Sequence, residues 1–282
     1  MKQHVEFFDR AHFAERYHRQ KPGRRLAPFI DFFWETDFDT LWKAHPQGFS
    51  DALFPNVGYT YMLNLGTSFV MQLGATRYPV KHDIFLPRQH CLLCHHQPGN
   101  RIFGIKFRVS PIVLDKEVNF SEYRGAVHPL SYLIDKEVVL RVKAANGFAR
   151  RIAIVSEYYE RMIAQHEGAR GPVTLVTGIL KAGSEQRSFA EPIATLAARH
   201  DVSPRTLQRY FLATTGMTGK QALQILRIRS AVELLSARPG KFNFADFGYY
   251  DHSHFYKHLR EFLGNGDQLE MAKPHLQLLR LG

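Results

Sequence analysis

Side chains whose types and spacing could do chemistry occur in two places. Cys91, Cys94, His95 and His96 stand in one short segment, and thiolates and imidazoles are good zinc ligands. The same residues contain CxxCH, the attachment pattern of a c-type haem. The second place is 192–262, where Arg, Gln, His and Lys recur along short amphipathic stretches. Such side chains can donate hydrogen bonds to base edges and phosphates of DNA.

The cysteine segment is better explained as a strand than as a ligand set. Successive side chains of a strand point to opposite faces of its sheet. One face would carry Cys91, Leu93 and His95, and the other would carry Leu92, Cys94 and His96. This separates the two cysteines unless a bulge intervenes, or unless His82 and His90 complete a site. We therefore expect no metal and no cofactor, and take the cysteines as small apolar fillers. A metal- or thiol-dependent sensor or enzyme that uses residues 91–96 remains the alternative.

Composition favours a folded protein that is attracted to polyanions. The chain has 282 residues, is 45% hydrophobic and carries a formal net charge of +11. The surplus of cations is divided almost evenly between the two halves, so charge alone does not locate a nucleic-acid surface. With two cysteines, no apolar signal-like core near the N-terminus and no membrane-length apolar run, we expect a cytoplasmic protein with no membrane partner.

The chain from about 28 to 109 predicts short strands separated by turns, the texture of a small barrel or sandwich. The predicted strands are Ala52–Pro55, Tyr59–Leu65, Phe69–Leu73, Ile84–Leu86, Cys91–His95 and Ile102–Val109. In the last of these, alternation predicts one buried face, with Lys106 on the other. Glu35, Asp37 and Asp39 are expected on solvated faces.

A helix is predicted from Phe148 to Gln165, because apolar residues recur there at intervals of three and four. Its apolar stripe packs either on the protein's own barrel or against a second copy of the chain. The breaker-rich segment from His166 to Pro172 predicts a domain boundary, after which almost everything is helical.

Two helical hairpins follow. In the first, a short helix from Pro192 and a turn at 200–202 precede a second helix, in which Ser203 is the N-cap and Pro204 the first residue. Its outward side chains are Arg205, Thr206, Gln208 and Arg209. In the second hairpin, 242–262, the turn is at Gly248 and Asp251 or Ser253 caps the helix. Its exposed side chains are His252, His254, Tyr256 and Lys257. The two hairpins are joined by a long helix from Thr218 to Leu235, which has Lys220 near its start.

The segment from about Pro192 to Leu263 resembles the DNA-binding domain of AraC-family regulators. The resemblance lies in Leu196-Ala197, the run from Val202 to Phe211, Gly216, Arg227–Ala231 with Leu234-Leu235, and Gly248–Phe255. It implies two helix-turn-helix units on a connecting helix, whose recognition helices enter successive major-groove segments. It places Arg205, Thr206, Gln208 and Arg209 in the first recognition helix and His252, His254, Tyr256 and Lys257 in the second.

Three departures from the family pattern affect the second unit more than the first. Gly219 stands where the family usually has Pro, and 242–247 leaves room for little more than one turn of the first helix. The tail from Gly264 to Gln268 lacks the usual Gly-x-x-Pro. We therefore expect Tyr256 and Lys257 to meet phosphates more readily than bases.

The first half resembles the cupin-like sensor domain of some AraC-type regulators, through Ala52–Pro55, Tyr61–Gly66 and Gly104–Phe107. The expected fold class is therefore α+β multidomain, with a β-rich domain over 1–170 and an all-α double helix-turn-helix domain over 171–282. The expected function is sequence-specific transcription regulation without catalysis. The resemblance implies double-stranded DNA, a small-molecule effector, a second copy in a homodimer and RNA polymerase as partners.

Overall fold

The structure is a computed structural model that describes residues 12, 15–116, 118–123, 127–166, 168, 171–186, 189 and 191–263. Its strands are β1 His18–Gln20, β2 Ile30–Asp37, β3 Ser50–Leu53, β4 Tyr59–Asn64, β5 Phe69–Leu73, β6 Thr76–Val80, β7 Ile84–Pro87, β8 Leu92–His95, β9 Arg101–Phe107 and β10 His128–Pro129. Its α-helices are α1 Asp39–Ala44, α2 Ile112–Asp115, α3 Lys136–Ala144, α4 Phe148–Gln165, α5 Gly171–Gln186, α6 Ile193–Arg199, α7 Pro204–Thr215, α8 Gly219–Ala237 and α9 His252–Leu263. No described helix is long and apolar enough to cross a membrane.

The strands form two sheets, and every neighbouring pair of strands is antiparallel. One sheet has six strands in the order β1-β2-β9-β4-β7-β10, and the other has four in the order β3-β8-β5-β6. The six predicted strands are all present, at nearly the predicted bounds. Strands β1, β2, β6 and β10 were not predicted. The N-terminal part is therefore β-rich, and its sheets face each other as a sandwich.

Three apolar clusters fill the space inside and around this sandwich. The interior cluster joins residues of both sheets, among them Trp34 and Met62 from one and Met71 and Cys94 from the other. A second cluster lies on the outer face of the six-stranded sheet, which α3, α4, α5 and α7 cover. A third lies on the outer side of β3 and β8 in the four-stranded sheet, which α8 and α9 cover. Helices thus cover the outer face of the six-stranded sheet and the β3–β8 part of the other sheet, whereas Arg77 and Pro79 on the outer face of β6 are exposed.

Helix α4 has the bounds that its periodicity predicts, Phe148–Gln165. Val155, Tyr159 and Ile163 of its stripe are buried against the six-stranded sheet. Of the two alternatives for this stripe, the structure shows packing on the protein's own sandwich. The boundary at 170/171 falls beside 167 and 169–170, outside the described residues, and stays a prediction.

Two expectations about polar side chains were wrong. Lys106 was placed on a solvated face but is only 2% exposed, because its face of β9 lines the space between the sheets. Glu35 was placed in solvent but accepts hydrogen bonds from buried Arg151, whose Nη1 lies 2.9 and 3.0 Å from the two carboxylate oxygens. This ion pair ties β2 to α4.

Candidate nucleic-acid interface

The first helix-turn-helix unit consists of α6 and α7. The turn between them contains Asp201 in the left-handed region, at φ 55°. Ser203 is the N-cap of α7, because its Oγ accepts a hydrogen bond from the Thr206 amide at 3.1 Å, and Pro204 is the first helical residue. The predicted start of the recognition helix is therefore confirmed.

Helix α7 separates its apolar and polar residues as the sequence predicts. Leu207 and Phe211 are fully buried, whereas Arg205 and Arg209 are exposed. Gln208 and Thr206 are half-buried, and the Thr206 hydroxyl accepts from Ser203 Oγ at 3.0 Å. The exposed cations and Gln208 lie in the first two turns, where a helix in the major groove meets base edges.

Helix α8 joins the two units and begins with a capping box. The Thr218 hydroxyl accepts from the Gln221 amide at 3.1 Å, while Gln221 Oε1 accepts from the Thr218 amide at 3.0 Å. Lys220, in the first turn, is exposed. A Cβ at Gly219 would stand 2.9 Å from Ile193 Cδ1 and 3.2 Å from the Phe211 ring, so the missing side chain lets α8 approach the first unit closely.

The second unit is shortened, as its sequence predicts. Its first helix is a single 3-10 turn, Phe244–Phe247, which ends at Gly248 with φ 74°. Helix α9 then begins at His252, and Asp251 caps it, because Asp251 Oδ1 accepts from the His254 amide at 2.7 Å. The Gly264–Gln268 departure lies outside the described residues.

Helix α9 also has a buried and an exposed side. Phe255, Leu259 and Phe262 are buried. The exposed residues include all four predicted candidates, His252, His254, Tyr256 and Lys257. Sequence reasoning missed Tyr250, which is 91% exposed directly before the helix, and exposed Arg260. The sequence feature that could have identified Tyr250 is its position in the Tyr249-Tyr250 pair after Gly248, in which Tyr249 is the buried residue.

A small polar cluster, Arg227, Tyr249 and His258, supports the second unit from inside. Arg227 lies over the Tyr249 ring at 4.3 Å, and Tyr249 Oη lies 2.8 Å from His258 Nδ1. Burial, followed by the nearby Arg227 cation, lowers the pKa of His258 to about 4. Burial raises the pKa of Tyr249 to about 12, although Arg227 acts in the opposite direction. His258 and Tyr249 are therefore neutral at physiological pH.

Both units pack on the β-sandwich. Gly216, at φ 70°, ends α7 and lies against the sandwich so closely that a Cβ there would stand 2.1 Å from Tyr59 Oη. Gln89 Nε2 donates to the Gly216 carbonyl at 2.7 Å. In the second contact, Arg229 of α8 donates to the Pro55 carbonyl at 2.9 Å, and the Phe262 ring of α9 lies 5.4 Å from that of Phe54.

The cysteine segment has the alternation that its sequence predicts. Cys91 and Leu93 pack in the cluster beneath α8 and α9, whereas Cys94 packs inside the sandwich. His95 Nε2 contacts Gln72, and His96 Nδ1 contacts Asn100 Oδ1 at 2.7 Å. Within the described ranges, no group of three or more His, Cys, Asp or Glu side chains is arranged to hold a metal ion.

The solved structures that match this chain are distant from it. ToxT from Vibrio cholerae has 8% identity over 91% of this chain and 98% of its own, with a TM-score of 0.43. ToxT bound to (E)-4-(8-methylnaphthalen-1-yl)but-3-enoic acid has 10% identity over 92% and 100%, with a TM-score of 0.44. The AraC-like transcriptional activator CuxR has 11% identity over 84% and 92%, with a TM-score of 0.29. At such values none of them transfers a ligand or an activity to this chain.

The sequence comparison is more specific but covers less of the chain. No curated protein matches it. Residues 196–265 match the family model of a helix-turn-helix domain. This range contains most of α6 and all of α7, α8 and α9, and therefore both units described above. Residues 196–265 of this protein are therefore a helix-turn-helix domain of the AraC type.

Proposed function

We propose that the protein is a sequence-specific transcription regulator, in which the helix-turn-helix domain binds an operator and the N-terminal domain receives an effector or partner. The observation that carries the proposal is the start of α7. There, exposed Arg205 and Arg209 stand beside Gln208 on a helix whose opposite side is fully buried. A rigid, capped helix with such a face fits the major groove. No catalytic step is part of the proposal.

We assign different roles to the candidate residues. Arg205, Gln208 and Arg209 contact base edges, because Arg and Gln match guanine and adenine in the major groove. Thr206 supports the helix start and contacts a phosphate, as does Lys220 at the start of α8. In the second unit, His252, His254, Tyr256 and Lys257 contact the backbone of the neighbouring groove segment, a set to which we add exposed Tyr250.

The first experiment is selection of DNA from a random pool by the purified full-length protein. We expect an enriched motif with two elements about one helical turn, roughly 10 base pairs, apart. Its affinity should then be measured against salt concentration beside a scrambled duplex. Binding that falls equally for both duplexes as salt rises, without any enriched motif, would leave only a basic surface and would reject the proposal.

Substitutions then test the assigned roles. Arg205→Ala or Gln208→Ala should cost about 1–3 kcal/mol of operator binding and relax preference at one position. Lys220→Ala should weaken operator and scrambled DNA alike and reduce the salt slope by about one. Arg161→Ala, which removes another exposed arginine, in α4, is the control and should change neither the affinity for DNA nor its salt slope. Equal losses on both duplexes for all three variants would contradict the division into base and phosphate contacts.

The partners of the N-terminal domain belong to the same proposal. A homodimer would place two copies of the helix-turn-helix domain on repeated half-sites, and an activator would contact RNA polymerase. A dimer must use a surface other than the apolar stripe of α4, because that stripe is buried within the chain. Sedimentation of the protein alone and on a selected duplex would show one or two copies per site.

A further inference from the structure

The second helix-turn-helix unit supplies little apolar surface of its own against α9. The buried residues of α9 are Phe255, Leu259, Phe262 and Leu263. The first helix of this unit is the single turn Phe244–Phe247, of whose four residues Phe247 is the buried one. In the first unit, the corresponding helix α6 has seven residues and buries Leu196 and Ala197. The second unit therefore lacks most of the apolar surface that a complete first helix provides.

The outer surface of β3 and β8 supplies the apolar surface that the second unit lacks. Ala52 and Leu93 lie opposite each other in the β3–β8 pair, Phe54 directly follows β3, and Cys91 directly precedes β8. These four residues are at most 7% exposed and belong to the same apolar cluster as the buried side of α9. The rings of Phe54 and Phe262 have centroids 5.4 Å apart. This part of the sandwich is therefore packed into the core of the second unit.

Helix α8 forms the third side of this cluster. Its buried residues in the cluster are Ile228, Ala231, Val232 and Leu235. The buried Arg229 also belongs to α8, and its Nη1 donates to the Pro55 carbonyl at 2.9 Å. The guanidinium carbon of Arg229 lies 6.0 Å from the centre of the Phe262 ring. One buried cation thus joins the segment after β3 to the last turn of α9.

We propose that the outer surface of β3 and β8 takes the place of the missing first helix, so that the sandwich is a structural part of the second helix-turn-helix unit. Ala52, Phe54, Cys91 and Leu93 then act as positioning residues for α9. This inference rests on the proposed function and specifies which conformation of the second unit binds DNA, namely the one in which α9 is docked on the sandwich. The first unit has a first helix of its own, α6.

The dependence of α9 on the sandwich follows from the energetics of short helices. Helix α9 has 12 residues, and a helix of this length gains most of its stability from the burial of its apolar face. That gain is proportional to the apolar area removed from water. Without the β3–β8 surface, the Phe262 ring would lose the Phe54 ring, and the shared cluster would be open on one side. Undocking from the sandwich and loss of the ordered helix should therefore occur together.

The docked position leaves the DNA-binding candidates of α9 accessible. Phe262, which contacts the sandwich, lies in the last turn, whereas His252 is exposed in the first turn, and a helix of this length spans about 18 Å. The first unit has the same polarity. Gly216, directly after α7, accepts a hydrogen bond from Gln89, and exposed Arg205 lies at the N-terminal end. Both recognition helices thus contact the sandwich at their C-terminal ends and keep their N-terminal ends exposed.

Leu92 and Leu93 offer a matched pair of variants, because they are adjacent in β8, each is 3% exposed, and they lie on opposite faces. Hydrogen exchange of the full-length protein, measured by mass spectrometry, compares α9 with α7. Leu93→Ala leaves a cavity in the cluster that α9 shares, so we expect it to accelerate exchange in α9 at least about tenfold more than in α7. Leu92→Ala makes the same change inside the sandwich and should not distinguish the two helices.

A second matched pair repeats the comparison with a smaller change and replaces the first if Leu93→Ala does not fold. Cys91→Ala removes one sulfur from the outer surface, and Cys94→Ala removes one from the interior. Cys91→Ala should accelerate exchange in α9 relative to α7, whereas Cys94→Ala should not. If α9 responds equally to the outer and the inner variants, it depends only on the overall stability of the protein, and the proposal is overturned.

The reactivity of Cys91 shows which conformation binds DNA. In the Cys94→Ala variant, Cys91 is the remaining thiol, and it is buried in the cluster beneath α8 and α9. A saturating selected duplex should slow its reaction with a thiol reagent at least about tenfold, because a ligand that binds only the docked state stabilises that state. A duplex whose second element is scrambled should slow the reaction less. A reaction rate that the selected duplex leaves unchanged or raises would overturn the assignment of DNA binding to the docked conformation.

The two experiments separate this proposal from the proposed function. If the protein selects no DNA motif, the proposed function fails. Hydrogen exchange without DNA would still decide whether the sandwich supports α9.

Discussion

Replacement of Gly216 by Ala should weaken the packing of the first helix-turn-helix unit on the sandwich. Gly216 has φ 70°, a conformation that costs an L-residue such as Ala about 1–2 kcal/mol. The added Cβ would also stand 2.1 Å from Tyr59 Oη and 2.9 Å from the Phe120 carbonyl. These two atoms form a hydrogen bond of 2.8 Å, so the methyl group enters a closed contact between α7 and the β-rich part.

The expected loss is the sum of the backbone and contact contributions. Displacement of Tyr59 from the Phe120 carbonyl removes one buried hydrogen bond, about 1 kcal/mol, and shifts its packing. Together with the backbone cost, the free energy of unfolding should fall by about 2–4 kcal/mol. Urea unfolding followed by circular dichroism measures this value.

Gly74→Ala is the matched control. Gly74 has φ 58°, but no atom lies within 4 Å of the position where a Cβ would stand, so it reports the backbone cost alone. Tyr59→Phe removes the atom nearest the new methyl group, and in that background the additional cost of Gly216→Ala should fall but stay above that of Gly74→Ala, because the Phe120 carbonyl still lies 2.9 Å from the methyl position. Equal losses for Gly216→Ala and Gly74→Ala in the wild-type background would refute the close contact between the two parts.

Three further predictions concern charge and helix capping. The pKa of His96 is about 3 in the folded protein against an ordinary 6.5, so the unfolded chain binds more protons between these values. From pH 6.5 to pH 5 this site should lower the free energy of unfolding by about 1.6 kcal/mol, beside a similar loss from His258, and His96→Asn should remove only the His96 share of the slope in urea titrations. Arg151→Met should destabilise the protein by about 3 kcal/mol, because Glu35 is left without its cation. Adding Glu35→Gln to the same chain should restore part of this loss. A double variant no more stable than Arg151→Met would contradict a direct ion pair between the two residues. Ser203→Ala should cost about 1 kcal/mol and weaken operator binding, whereas an unchanged melting curve would show that the cap contributes nothing.

The helix-turn-helix part was predictable because its signals are local. The N-cap at Ser203, the turn glycine at Gly248 and the spacing of Leu207 and Phe211 each act within a few residues. The structure has all of these features, and even the shortened first helix of the second unit follows from the few residues available before Gly248. The roles of the exposed side chains on DNA remain a prediction.

The β-rich part was predictable only in outline. Six strands follow from their aromatic and branched residues, but β2 was missed, because it is buried on both faces and shows no clear alternation. Without β2, neither the contact of Trp34 with Gly104 nor the pair of Glu35 with Arg151 could be foreseen. Lys106 was placed in solvent because a strand with one solvated face is the usual consequence of alternation.

The amino-acid sequence by itself determined the elements of the DNA-binding domain, the strands of strong alternation and the separation of the two cysteines onto opposite faces. Those properties depend on periodicity and capping, which neighbouring residues set. Only the tertiary structure decided that helices cover one sheet and part of the other, that Arg88 and Lys106 line one cavity, and that both helix-turn-helix units pack on the sandwich. These contacts join residues far apart in the chain, such as Pro55 and Arg229, and their formation depends on the packing of whole sheets and helices.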